Sequence, residues 1–219
     1  MSPIKITVFS DYACPFCYIG KGILKKLGME YPVEINWVPY ELHPDTPKEG
    51  VLVAEQFPEL DMKKMLKELN QAAAPYNIKF NPFEKMPNTK LALAASEFAR
   101  DNGKLNEFQE KVYYALFTED KDIGQLHVIL SCGEKVGLNP EKLMQALNEG
   151  RYLSRLKEGR ELGKKYKVAG IPTFIIAEQG KIVGAQAYQS FVDIIENMQK
   201  GILGSSKLTN RVCGIDGCQ

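Results

Sequence analysis

The 219-residue chain sets 28 Lys and Arg against 27 Asp and Glu, so it lacks the overall positive field expected of a nucleic-acid binder. It is long enough to bury a sizeable core, and no apolar run reaches the roughly 18 to 20 residues that a membrane-spanning helix needs. Met1 leads almost directly into an alternating segment, without the basic region and apolar stretch of a secretory signal. The expected location is therefore the cytoplasm, where disulfides are usually catalytic or sensing.

The run from Ile4 to Val8 alternates apolar and polar residues and Phe9 extends its apolar edge, which predicts a half-buried strand. The period then changes. Ile19, Ile23, Leu24 and Leu27 fall at helical spacing, with Gly28 as the expected stop. At the junction stand Cys14-Pro15-Phe16-Cys17, placed on the first turn of the helix. Residues three apart on a helix share a face, so the two sulfurs can meet. The unpaired N–H groups and positive dipole end of a helix favour a thiolate there. Cys14, the earlier and more exposed, is the expected nucleophile, and Cys17, one turn deeper, the resolving thiol.

Val33, Ile35 and Trp37 alternate with Glu34 and Asn36 in a second strand reaching about Tyr40, and a strand-helix-strand unit makes its strands parallel. The proline-bearing segment Glu41 to Pro47 follows as a loop, in which His43 reads as a solvated histidine rather than an active-site group. From about residue 58 to 168 helical periods dominate. Met62, Met65, Leu66 and Leu69 form one stripe, Leu91 to Phe98 a second, Leu105 to Leu116 a third, and Leu126 to Val136 a fourth. Asn139-Pro140 then caps and opens a helix carrying Leu143, Met144 and Leu147. The methionines read as core rather than as a peptide-binding groove, and Asn77 to Asn88 reads as a loop. Strand chemistry returns at Val168 to Ile176, with Pro172 near its start, where no ladder donor is needed. Glu178 to Lys181 supplies a turn, Ile182 to Gly184 a partner strand, and Ser190 with Asp193 a capping-box-like start to the last helix.

This element order resembles a thioredoxin-type domain opened by a helical insertion, as in the DsbA family. The likeness rests on Cys14-Pro15-Phe16-Cys17 after Phe9-Ser10-Asp11, and on Gly170-Ile171-Pro172-Thr173-Phe174. Cys17-Tyr18-Ile19-Gly20 is most similar to the FrnE branch. The resemblance implies an α/β fold in which residues 1–57 and 169–204 form the thioredoxin-like part, 58–168 an all-helical insertion between its βαβ and ββα halves, and 205–219 a flexible tail. It also implies a cis bond before Pro172, lying beside the cysteine pair, with the Ile171 backbone free to pair with an extended substrate near Pro15 and Phe16.

Cys132 reads as a small buried hydrophobe. Cys213 and Cys218 bracket two glycines and an Asp, suited to a tight turn, and the FrnE branch is similar in carrying a C-x4-C pair near its end. Gly204-Ser205-Ser206 frees this tail, and about ten flexible residues reach roughly 17 Å on average, so the tail could serve as an auxiliary redox pair. The resulting expectation is a disulfide oxidoreductase acting on protein or peptide thiols, with no cofactor or metal beyond its own cysteines and with glutathione or another thiol as electron partner. Two alternatives stand beside it. One is a glutathione-dependent isomerase or transferase of the 2-hydroxychromene-2-carboxylate isomerase or kappa type, relatives that typically carry serine where Cys14 stands. The other is a zinc site built from Cys14, Cys17, Cys213 and Cys218.

Overall fold

The computed structural model describes residues 3–201 and the backbone of 213–214 and 217–218. A four-stranded sheet runs in the order β2-β1-β5-β6. Strand β1 (Ile4–Ser10) pairs in parallel with β2 (Val33–Pro39) and antiparallel with β5 (Thr173–Ile176), which forms a hairpin with β6 (Gly180–Val183). The βαβ and ββα halves expected from sequence therefore share one sheet, joined along β1. The register places Val8 between Trp37 and Phe174 on one face, whereas Phe9 and Val38 point to the other.

Helix α1 (Pro15–Glu30) covers the first face and runs two residues past Gly28, the expected stop. Pro32 explains the difference: a residue preceding proline is driven out of the helical region, and Tyr31 is extended at φ −131° and ψ 143°. Helix α9 (Tyr188–Gln199) packs on the same face through Phe191, whose ring meets Phe174 edge-on at 4.9 Å. Its N-cap is Ala187, with no side-chain cap, so the Ser190–Asp193 capping pair is not formed and both residues lie inside the helix. The third strand is also shorter than expected. Its regular pairing begins at Thr173, and Val168 to Pro172 form the loop that leads into it.

Between the halves stand α2 (Val53–Gln56), α3 (Met62–Ala73), α4 (Lys90–Asp101), α5 (Leu105–Phe117), α6 (Leu126–Glu134) and α7 (Pro140–Asn148), with Asn139 accepting the Lys142 N–H as the N-cap. The segment is not purely helical. Lys85–Met86 (β4) pairs with Val51–Leu52 (β3) in a small ribbon that fastens the 77–88 loop to the chain ahead of the insertion. One continuous hydrophobic cluster runs from Ile6 and Val8 through α1 into Phe108, Val112 and Leu143. Cys132 lies in it at 2 % exposure, as the sequence led us to expect.

A helix with no apolar stripe in the sequence, α8 (Leu153–Lys165), lies against the second sheet face, where Leu162 joins Phe9, Val38 and Ile175. The reason it is hard to read lies in its contacts: it is largely charged outside and carries glycine where it meets the sheet. A Cβ at Gly159 would collide with the Pro39 carbonyl oxygen. No helix among the described residues is long and apolar enough to cross a membrane. Replacing Gly159 by Ala should force α8 away from the end of β2 and lower stability by about 1–3 kcal/mol, measurable by urea unfolding. Ala at this position with parental stability would show that α8 has room to shift.

Candidate active site

The end of β1, the start of α1 and the loop before β5 converge on the two thiols. Cys14 is the N-cap of α1, with Pro15 at the first helical position, where the missing N–H costs nothing. The Cys17 N–H donates to the Cys14 carbonyl at 3.0 Å and closes the first turn. Both cysteines are free and both are buried, Cys14 with 5 % exposure and Cys17 with none. Cys14 is the more exposed of the two, as expected, but it is less open than the sequence implied.

Asp11 shapes the approach to Cys14. Its buried carboxylate accepts the Leu42 N–H at 2.6 Å and the Ala13 N–H at 3.3 Å, tying the turn before Cys14 to the loop after β2. Burial raises its proton affinity above that of an ordinary carboxyl, against these hydrogen bonds and one from Thr89.

The peptide bond between Ile171 and Pro172 is cis. The Cys14 thiol donates to the Ile171 carbonyl at 3.6 Å, so two residues far apart in the chain are in direct contact. The loop is pinned from both sides: the Gly184 N–H donates to the Pro172 carbonyl at 2.7 Å, and the Thr173 hydroxyl donates to the Gly170 carbonyl at 2.6 Å. Gly20 lets α1 approach it, since a Cβ there would lie 2.8 Å from Phe174 Cζ and 3.4 Å from Pro172 Cγ. This gives the glycine of Cys17-Tyr18-Ile19-Gly20 a physical reason.

Pro15 lines a cavity of about 80 Å³ together with Val53, Phe57, Met65, Phe83 and Met86. Phe16 is partly buried against the main core, as is Ile171. His43 packs its ring edge-on against Phe57 at 6.4 Å, consistent with a loop residue outside the thiol chemistry. Cys213 and Cys218 face each other across a two-stranded ribbon of β7 (Cys213–Gly214) and β8 (Gly217–Cys218), and their side chains lie outside the described residues. Half of the zinc-site alternative falls there too. Among the described residues no group of three or more His, Cys, Asp or Glu could hold a metal.

A model of the DSBA-like thioredoxin domain matches residues 5–196. The chain belongs to that family. It is 28% identical over 198 residues to the uncharacterized protein YwbO of Bacillus subtilis (strain 168), covering 90% of this chain and 98% of the relative. A probable DsbA oxidoreductase from Streptomyces coelicolor has the same fold with a TM-score of 0.82 at 20% identity, covering 99% of this chain and 98% of that one. A 2-hydroxychromene-2-carboxylate isomerase matches with a TM-score of 0.75 at 16% identity, over 92% of this chain and all (100%) of the isomerase. The DsbA-like fold thus includes the helical insertion, and it is common to a probable oxidoreductase and an isomerase.

Three polar groups behind the thiols have no role in the sequence reading, where Ser10 stands only within Phe9-Ser10-Asp11. Ser10 and Tyr113 bond through their hydroxyls at 2.9 Å, and Lys21, one turn beyond Cys17, is 6 % exposed. Lys21 Nζ donates to Gln109 Oε1 at 3.1 Å and sits 5.3 Å from the centre of the Trp37 ring. The only local signal was polarity inside otherwise apolar segments. Burial lowers the pKa of Lys21 from 10.5 to about 8, so the folded state holds its proton less tightly than the unfolded chain. Its charge therefore costs stability in full below pH 8, and the cost is lost as pH rises from 8 to 10.5. Lys21→Met should be more stable than the parent at pH 7 by about 1–2 kcal/mol, once the lost Gln109 bond is allowed for. That advantage should shrink by pH 10; urea unfolding at both values checks it, and a pH-independent difference would contradict the assignment.

Proposed function

We propose that this protein is a thiol-disulfide oxidoreductase that acts on protein or peptide cysteines through a mixed disulfide at Cys14. The observation that carries this reading is the contact of the Cys14 thiol with the Ile171 carbonyl, beside Pro172 and at a helix start. In the reducing direction, the Cys14 thiolate attacks one sulfur of a substrate disulfide and the other sulfur leaves as a thiolate. Cys17 then attacks Cys14 Sγ, the second substrate thiolate departs, and the Cys14–Cys17 disulfide holds the two electrons' worth of oxidation. The oxidising direction is the reverse. An extended substrate would pair with the Ile171 backbone while its flanking side chains meet Pro15 and Phe16. Glutathione or another small thiol would return the protein to its dithiol form, as a reducing cytoplasm would favour. Retention of both thiols supports exchange over the glutathione-dependent isomerase reading, although the fold serves either.

Cys14→Ser should abolish reduction of insulin disulfides, and Cys17→Ser should accumulate a mixed disulfide at Cys14 that mass spectrometry identifies. Normal turnover by Cys14→Ser would place the nucleophile elsewhere.

Cys213 and Cys218 complete the proposal as an auxiliary pair. Tethering by the 202–212 segment would give an effective concentration of order millimolar, which makes internal exchange with Cys14 competitive. In a Cys17→Ser background, peptide mapping should then find Cys14 joined to Cys213 or Cys218. If that linkage is absent and removal of the residues after Gly204 leaves turnover unchanged, the tail has no part in catalysis.

A further inference from the structure

Cys17 has no exposure to solvent, yet in the exchange reading it must become a thiolate to attack Cys14 Sγ. A thiolate in that position has lost its water, and the protein must supply hydrogen-bond donors in its place. Burial pushes the Cys17 thiol well above its usual range, and contact with Cys14 adds to this. Against these act the Ser10 hydroxyl and the Asp11 backbone, both close enough to the sulfur to favour its charged form.

Ser10 is backed by a second hydroxyl. Its Oγ lies 2.9 Å from Tyr113 Oη, and Tyr113 Oη also donates to the Asp11 carbonyl at 3.3 Å. Tyr113 is held by its ring, which stacks on Tyr18 at 4.9 Å and 7° and meets Tyr12 at 4.7 Å. Two such aromatic contacts on one ring fix the direction in which its hydroxyl points. Burial also keeps the Tyr113 proton on its oxygen.

We propose that Ser10 and Tyr113 are positioning residues for the resolving thiol: Tyr113, supplied by the helical insertion, acts through Ser10 to favour the Cys17 thiolate. This rests on the exchange reading above. While Cys17 is a thiol, the Tyr113 O–H points to the Asp11 carbonyl. When Cys17 ionises, the Ser10 O–H turns to the sulfur and the Tyr113 O–H turns to Ser10 Oγ. Two hydroxyl rotations suffice, and no heavy atom moves. Cys14 on its own helix and Tyr113 on α5 are the titratable side chains that interact with Cys17, and Asp11 and Tyr12 stand in the loop before the helix. The Asp11 carboxylate is turned toward Ala13 and Leu42, the Tyr12 hydroxyl bonds Ser96 at 2.5 Å, and the Lys21 amine bonds Gln109. That leaves the Ser10–Tyr113 pair as the side-chain donors with two orientations.

The test uses the full chain, reduced and mixed with an aromatic disulfide such as Ellman's reagent. Attack by Cys14 releases one aromatic thiolate and leaves a Cys14–aryl disulfide. Attack by Cys17 forms the Cys14–Cys17 bond, breaks the aryl bond and releases the second thiolate, the Cys17 proton going to buffer. Tyr113→Phe keeps the stacked ring, and Ser10→Ala removes only the hydroxyl. Both should slow the second release about tenfold and move its pH midpoint about one unit upward, leaving the first release unchanged. Equal slowing of both phases, or no change in the second, overturns the proposal.

A separate measurement does not depend on turnover. In a Cys14→Ser background, the pH profile of Cys17 alkylation, read by mass spectrometry of its peptide, should shift upward by about one unit when Tyr113→Phe is added. An unchanged midpoint refutes the role of Tyr113 whether or not the protein exchanges disulfides. An alkylation shift between these variants, with a parent protein that never releases a second thiolate, would instead count against the exchange reading.

Discussion

The pairing of β1 with β5 is the constraint from which the site follows. β1 carries the chain into the turn before Cys14, and β5 is entered through Ile171 and Pro172, so their antiparallel register, with Phe9 opposite Thr173, brings both loops to the same end of the sheet. The 3.6 Å contact between Cys14 Sγ and the Ile171 carbonyl is the local result. β2 and β6 flank this central pair, and α1 closes over it because Gly20 leaves space for Phe174.

The insertion does more than cover a face. Its α5 contributes Tyr113 to the aromatic group formed with Tyr18 and Phe117, and Tyr18 directly follows Cys17. The hydrophobic cluster is continuous from the sheet into the helices, so the surroundings of the deeper thiol are made jointly by segments from both parts of the chain. Burial removes water from Cys17 and disfavours its thiolate, while the neighbouring Ser10 hydroxyl acts in the opposite direction.

Much of this was legible because it is encoded locally. The alternation from Ile4 to Val8, the cysteine spacing after it, and Ile171-Pro172 ahead of an apolar strand each lie within a few residues of chain. The capping pair at Ser190 and Asp193 matched a pattern but lost to a helix that begins earlier, at Tyr188. Helix α8 falls within the stretch read as helical, but its own bounds were not legible because its sheet-facing positions include glycine instead of a full apolar stripe. The Ser10–Tyr113 bond could not be read at all, since nothing in the period of either segment links a strand-end serine to a tyrosine on α5. Local patterns report burial; they do not report which distant polar group arrives there.

The register of β1 and β5 also bears on how the protein comes into being. β1 and β2 can associate once α1 has formed, since all three lie within the first forty or so residues, but β1 has its second partner only after the whole insertion has been made. Contacts that close such long stretches of chain carry a large loss of freedom before they bring any gain. During synthesis, then, Cys14 and Cys17 leave the ribosome early and spend most of that interval without Ile171, Pro172 or Tyr113 beside them. For the growing chain they are ordinary thiols; their site is among the last features of the fold to be assembled.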